Sequence, residues 1–369
     1  MTLFNEATPI SLDALMVEGE QMTAMEVFSM CRLDEYTQSA ITTCMRCDMK
    51  FFLRYILGIT PRGFNKNFLV GKMVHKFFEL SLVPLVNGEN IAPVLQKAMF
   101  KWDKMIEKIL EDSDLVGGND MHALNYARAQ STAMCRAWLT LHGDAFADKY
   151  EIVSVEQTVR ATEDPKFEHF IYRCAGQMDG VLREKEDKEK WWLIEHKSRS
   201  QINALNQFDL MTDFQANFYI ALAVFRLAEF LQQYSDIQGT WMGFLFNAIK
   251  KPQHRVKKGT NDYEELAGRM YEAMLGDPDG YFFLDRVSVD MDTVIMAMTD
   301  ARLMIDYINS MVPEKVIRRT TACADYAGCE YKPLCQHGAV AVDLDSIIYN
   351  PNINLYQGKA AHEELKEET

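Results

Sequence analysis

The chain has 369 residues, 48% of them hydrophobic, and a formal net charge of −14. That apolar content can bury a large core, and the length suits two or three domains or one elaborated unit. No run is long and apolar enough to span a bilayer. The opening residues, MTLFNEATPISLDALMVEGEQM, lack the basic start and apolar block of a signal peptide, so a cytoplasmic location is expected. The acidic balance argues against nucleic acid as a partner, but local charge decides the matter.

Two stretches run against that balance. Between Lys50 and Lys76 the chain carries Lys50, Arg54, Arg62, Lys66, Lys72 and Lys76 and no acid. Between Ala248 and Thr260 it carries Lys250, Lys251, Arg255, Lys257 and Lys258, again without an acid. Such islands either line a groove for phosphates or form solvated surface, which is the commoner fate of a charge run.

In chain order, residues 1–38 read as an N-terminal extension. Residues 36–55 read as a helix opened by a Thr or Ser cap, carrying Cys44 and Cys47 and then Phe51, Phe52, Leu53 and Tyr55. Gly58, Pro61 and Gly63 end it. A helix over 68–82 holds His75 and Glu79, four apart and on one face. Residues 92–149 are helical with a break near 117–120. Trp102, Ile106, Ile109 and Leu110 form a packing stripe there, and nothing in the segment suggests chemistry. Residues 152–160 alternate as a strand with Glu156 in the middle.

The stretch that organises the chain follows, IYRCAGQMDGVLREKEDKEKWWLIEHKS. Residues 170–183 and 191–197 read as two strands of a hairpin, joined by a charged turn over 184–190. Alternation puts Glu195 and Lys197 on one face and His196 on the other, with Asp179 across the ladder from them. Two carboxylates on adjacent strands make a hard oxygen site for Mg²⁺ or Mn²⁺, and an ammonium beside it can stabilise charge building on a phosphate. The competing reading is a same-face surface ion pair with Asp179 as a turn residue. Beyond the hairpin, a long helix over 207–233 places Gln215 and Tyr219 on one face. A strand over 240–248, a helix over 263–275, a turn at Asp277-Pro-Asp-Gly280, a helix over 291–311 and a C-terminal tail at 338–369, charged over 360–369, complete the chain.

Residues 323–335, CADYAGCEYKPLC, place Cys323, Cys329 and Cys335 in a C-x5-C-x5-C spacing. Three cysteines in so short a stretch, without a secretory signal, point to a metal rather than to disulfides. The spacing is wider than structural zinc prefers and suits thiolates surrounding an iron–sulfur cluster. A fourth ligand is available at Cys44 or Cys47. Cys31, Cys135 and Cys174 sit in apolar surroundings and read as packing residues.

The ordered set resembles the RecB-type branch of the PD-(D/E)XK nuclease superfamily. It looks most like the iron–sulfur nucleases among CRISPR-associated, phage and helicase–nuclease proteins. The carriers, in order, are CDMKFFLRY from Cys47, G-x3-H at Gly71 and His75, the strand acid Glu156, and G-x2-D at Gly176 and Asp179. E-x-K at Glu195 and Lys197, Q-x3-Y at Gln215 and Tyr219, and the three late cysteines complete the set. The naming proline is replaced by Met178. The register against FFLRY favours Cys47 over Cys44 as the fourth thiolate.

The resemblance implies a restriction-endonuclease-like α/β fold with a mixed central β-sheet flanked by helices. Its N- and C-terminal parts would be joined by a [4Fe-4S] cluster on Cys47, Cys323, Cys329 and Cys335. One nuclease unit would span 39–337, with a helical insertion at about 83–150. His75, Asp179, Glu195 and the backbone carbonyl of His196 would ligate Mg²⁺ or Mn²⁺. Glu156 would bind a second metal or support the first. Lys197 would orient the attacking water, and Gln215 and Tyr219 would hold DNA and position that lysine. The implied activity is metal-dependent hydrolysis of DNA, most often as an exonuclease on ends or single strands, with a helicase, recombination or replication protein as partner. Tyr219 and the aromatics of 51–55 are candidates for stacking bases. The rival readings are a catalytically silent single-stranded-DNA-binding or assembly protein that keeps the fold, and a zinc-stapled scaffold.

Overall fold

The computed structural model describes residues 33, 35–61, 66–112, 118–161, 172–202, 207–225, 240–256, 262–311, 316, 319, 323, 329–332, 335 and 347–349. The chain divides into two compact units. One draws on residues 1–62, 160–176 and 298–369, the other on 63–159 and 177–297. Cys31, the start of the strand expected from residue 170, and the charged end at 360–369 lie outside the described residues.

The second unit is a sheet with helices. Helices α3 (Lys66–Val86), α4 (Ile91–Asp112) and α5 (Gly118–Lys149) lead into strand β3 (Tyr150–Ala161), and then come β4 (Cys174–Glu184) and β5 (Lys190–Arg199). Two short helices, α6 (Gln207–Met211) and α7 (Phe214–Phe225), precede β6 (Thr240–Lys250). Helices α8 (Tyr263–Gly276) and α9 (Pro278–Tyr281) lead to β7 (Phe282–Ser288). Strand β4 pairs antiparallel with β5, β5 parallel with β6, and β6 antiparallel with β7, while β3 pairs with β4. The parallel β5–β6 step needs a long crossover, which the helical connection between them supplies.

Burial explains the helices. Leu69, Val70, Met73, Val74, Phe77 and Phe78 recur at helical spacing along α3, and all are buried. They meet Trp102 of α4, Trp138 of α5 and the inward residues Leu182, Trp192, Ile194 and Leu245 of the sheet in one apolar cluster. At Gly243 the backbone takes φ +137, and an added Cβ would lie 2.0 Å from the carbonyl oxygen of Val287. That glycine accompanies a slip in the β5–β6 register at Trp191/Trp192, a bulge in which Trp192 faces Gly243.

Two expectations change. Over its described part, the continuous helix expected over 207–233 is instead α6 and α7, broken at Thr212 and Asp213, and residues 226–233 lie outside the described residues. Asp213 caps α7, its Oδ1 accepting from the Ala216 amide at 2.9 Å. The turn at 277–280 folds as α9, capped by Asp277, and runs straight into β7, a strand the sequence reading omitted.

The first unit holds β1 (Tyr36–Thr37), α1 (Gln38–Arg46), α2 (Asp48–Phe51) with a π-helical turn at Phe52–Ile56, β2 (Ile59–Pro61), most of α10 (Met291–Ser310) and β8 (Ile347–Tyr349). Thr37 Oγ1 caps α1 by accepting from the Ala40 amide at 3.2 Å. The helix expected across 36–55 is interrupted at Cys47, whose φ of −161 and ψ of 112 are extended. Strand β1 pairs in parallel with Cys174 and Ala175, and β2 pairs antiparallel with β8. Asp48 is fully buried, but its carboxylate accepts from Tyr307 Oη and from Arg319 Nη2, so the charge is compensated.

Candidate active site

The site is built where the β4–β5 ladder ends. Its pairs run from Arg183↔Trp191 to Gly180↔Ile194. The next positions in that register are Asp179 and Glu195. There the carboxylate of Asp179 replaces a backbone partner, Oδ2 accepting from the His196 amide at 2.6 Å. The buried N–H is satisfied while the strands part, which opens room for a ligand. Gly180 permits the crowding behind the split, since a Cβ there would come within 2.9 Å of Ile194 Cγ2 and 3.2 Å of the Ser154 carbonyl oxygen.

Two elements then aim at Asp179. His75 of α3 places Nδ1 3.1 Å from Asp179 Oδ1 and 4.0 Å from Glu156 Oε1. Glu156 sits in β3 at φ +47, a left-handed conformation that costs a non-glycine residue about 1–3 kcal/mol. Its Oε2 accepts from Gln177 Nε2 at 2.6 Å. One potential ligand atom from each of His75, Glu156 and Asp179 lies within 4.8 Å of the other two, the spacing of a set that can hold one ion. Gln177 escaped the sequence reading. Its signal was available, because it stands two residues before Asp179 on the same strand and so shares its face.

The charges crowd one another. Burial and the Asp179 carboxylate push Glu156 up to about 8, against the opposing pull of His75. Burial also raises Glu195, to about 7, although Lys197 counteracts it. For His75, burial favours the neutral ring, but Asp179 and Glu156 prevail and raise it to about 9. Burial would raise Asp179 too, yet His75 and the other nearby cationic groups hold it well below the usual carboxylate range. The Asp179 carboxylate raises the proton affinity of Glu156 and Glu195, a crowding of negative charge that a divalent cation would relieve.

Lys197 lies beside this set. Its ammonium pairs with Glu195 Oε1 and donates to Gln215 Oε1 of α7 at 3.0 Å. Burial alone would depress Lys197, but the Glu195 and Asp179 carboxylates raise it, so the side chain stays cationic. Gln215 Nε2 in turn reaches Tyr219 Oη at 3.4 Å.

His196 faces the other way, with its ring stacked on Phe78 at a centroid distance of 3.9 Å. Its Nδ1 meets Asn247 Nδ2 at 2.8 Å, and Trp138 Nε1 donates to Asn247 Oδ1 at 3.0 Å. Trp138 belongs to the segment in which no chemistry was expected. It anchors the strand that presents Glu195 and Lys197. Burial pushes His196 down to about 3, so the ring is neutral.

The aromatics proposed for base stacking are placed differently. Phe51, Phe52, Tyr55 and Tyr219 are all buried, at 0%, 7%, 8% and 7% exposure, and serve packing instead. The exposed aromatic of the second unit's α3 is Phe68, at 61%.

In the first unit, Cys47 packs with Met49, Leu53, Ile59 and Tyr331, and Cys329 and Cys335 lie against the same cluster. The Cys329 amide donates to the Cys323 carbonyl at 3.1 Å. None of these four thiols is in a disulfide. Among the described residues, however, cysteine sulfurs do not form a group within 4.8 Å as the acid–histidine set does. Cys44 is sealed inside α1, where burial and Asp48 push its thiol up to about 12. Cys135 and Cys174 are buried packing residues.

A mixed sheet whose central hairpin splits around an acid–histidine–lysine set defines a class of phosphodiester-cleaving folds. The family model of the PD-(D/E)XK nuclease superfamily matches residues 35–336, and the chain belongs to that superfamily. No curated protein matches the chain. No helix among the described residues is long and apolar enough to cross a membrane.

Proposed function

We propose that the protein is a metal-dependent DNA nuclease of the RecB-type iron–sulfur branch, acting as an exonuclease on ends or single strands. The observation that carries this reading is the convergence of His75, Glu156 and Asp179 beside the Glu195–Lys197 pair. One imidazole nitrogen and several carboxylate oxygens are a fitting donor set for Mg²⁺ or Mn²⁺. His75, Asp179, Glu195 and the backbone carbonyl of His196 would hold the ion, and Glu156 would hold a second ion or support the first. When bound, the ion polarises a phosphate oxygen and acidifies water.

The chain's own groups do the rest. Lys197, kept cationic by Glu195, donates to the attacking water and to charge building on the phosphate. Gln215 fixes the direction of the ammonium, and Tyr219 fixes Gln215. The nuclease unit spans 39–337 with a helical insertion at about 83–150, and the protein works in the cytoplasm with a helicase, recombination or replication partner. The test is digestion of end-labelled single- and double-stranded DNA with Mg²⁺ or Mn²⁺. Wild-type protein cuts, Asp179→Ala does not, and Lys197→Ala cuts about 10²–10³-fold more slowly; undiminished activity in both variants removes the reading.

We assign a structural [4Fe-4S] cluster to Cys47, Cys323, Cys329 and Cys335. Supporting it are the shared apolar packing of Cys47, Cys329 and Cys335 and the absence of disulfides among them. Iron and acid-labile sulfide in the purified protein, both lost in Cys329→Ala, are the expected result. A colourless preparation holding zinc alone rules it out.

A further inference from the structure

The two basic islands of this acidic chain meet in part. Lys251, from the second island, is buried and donates from Nζ to the carbonyl of Asn67, in the first turn of α3, at 3.1 Å. Lys66 of the first island lies over the ring of Tyr126 at 4.6 Å, and Tyr126 Oη donates to the His254 carbonyl at 2.9 Å. Pro252 is held as well, its carbonyl accepting from Gln130 Nε2 at 2.7 Å. The N-terminal end of α3 therefore collects positive charge from both islands on a fixed support.

The same helix carries the active-site imidazole. Phe68, Lys72, His75 and Glu79 are spaced four, three and four residues apart, which places them on one face. Phe68 is 61% exposed while its neighbours Leu69 and Val70 are buried. The Lys72 ammonium, itself exposed, stands 4.8 Å from the centroid of that ring. Seven residues of helix put Phe68 about 10 Å along the axis from His75, roughly three stacked nucleotides of one strand. A phenyl ring held at the surface beside a cation is the local chemistry of a stacked base with its phosphate.

We propose that Phe68 stacks one base of a single strand leading to the active site, while Lys72 and Lys66 take its phosphates. This rests on the nuclease reading and narrows the substrate to an unpaired strand, since a base inside a duplex has no free face to offer a ring. It also separates this site from Gln215, which bonds Lys197, and from Tyr219, which bonds Gln215.

The test uses the full-length protein in EDTA, so that strands are bound and not cut. The probes are labelled single strands with one abasic position moved stepwise along them. Phe68→Ala weakens binding of the intact strand between about 5- and 150-fold, the range of one lost stack. On the strand whose abasic position faces residue 68, wild type and Phe68→Ala bind alike. Phe68→Trp restores the intact-strand affinity. Lys72→Ala lowers the slope of log affinity against log salt by about 0.7.

The same variants assayed with Mn²⁺ carry their defect in KM. The inference is overturned if Phe68→Ala binds intact strands as wild type does, or loses affinity equally on every abasic strand. It is also overturned if blunt duplex is bound as well as single strand. Wild-type protein that neither binds nor cuts any DNA sinks the nuclease reading itself, a separate outcome from cutting that is indifferent to Phe68.

Discussion

The acid–histidine centre and the cysteine region are both metal readings of one sequence, and the fold prepares them differently. In the second unit, ligand atoms from a helix and two strands already stand within 4.8 Å of one another. A ladder break, a left-handed Glu156 and a hydrogen bond from Gln177 hold them there. In the first unit, Cys47 stands at a break between two helices, and Cys329 and Cys335 share its apolar cluster without their sulfurs closing to that spacing. A site framed by regular elements keeps its shape without a ligand.

That contrast can be broken by substitutions that act on one region only. The largest effect belongs to Lys197→Ala, which lowers kcat by about 10²–10³-fold with melting temperature little changed, checked by single-turnover cutting and thermal melts. Gln177→Leu follows. It frees Glu156 from its only described side-chain donor and weakens divalent-metal affinity by about 10–100-fold. Cys329→Ala behaves in the opposite way, losing iron and about 10 °C of melting temperature while Mn²⁺ affinity at the acid site is kept. Equal damage by Cys329→Ala to Mn²⁺ binding would erase the distinction between the regions.

The smallest effect is on pH dependence without metal. His75 is raised from 6.5 to about 9, so its stabilising contribution is complete below about 6.5 and is lost as pH rises through 9. Glu156, raised from 4.5 to about 8, likewise favours the folded state at lower pH and loses that contribution as pH rises through 8. Asp179 is depressed, so its contribution exists above about 3.8 and fades as pH falls further. The melting temperature of metal-free protein therefore declines between pH 7 and 9, and saturating Mn²⁺ removes the decline. A flat metal-free profile would show that these groups are not coupled.

The hairpin was legible because its physics is local. An apolar run ending in Glu-His-Lys, read with a period of two, separates His196 from Glu195 and Lys197, and the coordinates place them so. The break at Asp213 was hidden inside an apolar helical pattern, although an Asp three residues before Ala216 is a capping signal. Strand β7 was obscured by the turn chemistry of 277–280. The relay from Trp138 through Asn247 to His196 joins residues 109 and 51 positions apart, and no periodicity announces such contacts. Phe68 looked like its buried neighbours in an apolar run, because exposure is set by what the fold leaves uncovered.

The account turns on one ion held by His75, Asp179 and their neighbours, and calorimetric titration of Mn²⁺ into the full-length protein at pH 7 addresses it most directly. The Asp179 carboxylate favours the protonated forms of both His75 and Glu156, so ion binding is expected to release protons and to give an apparent enthalpy that changes with the buffer's ionisation enthalpy. Asp179→Asn, which keeps an acceptor for the His196 amide, should abolish both binding and release. Mn²⁺ binding of undiminished affinity in Asp179→Asn, with no proton released in either protein, would contradict the assignment.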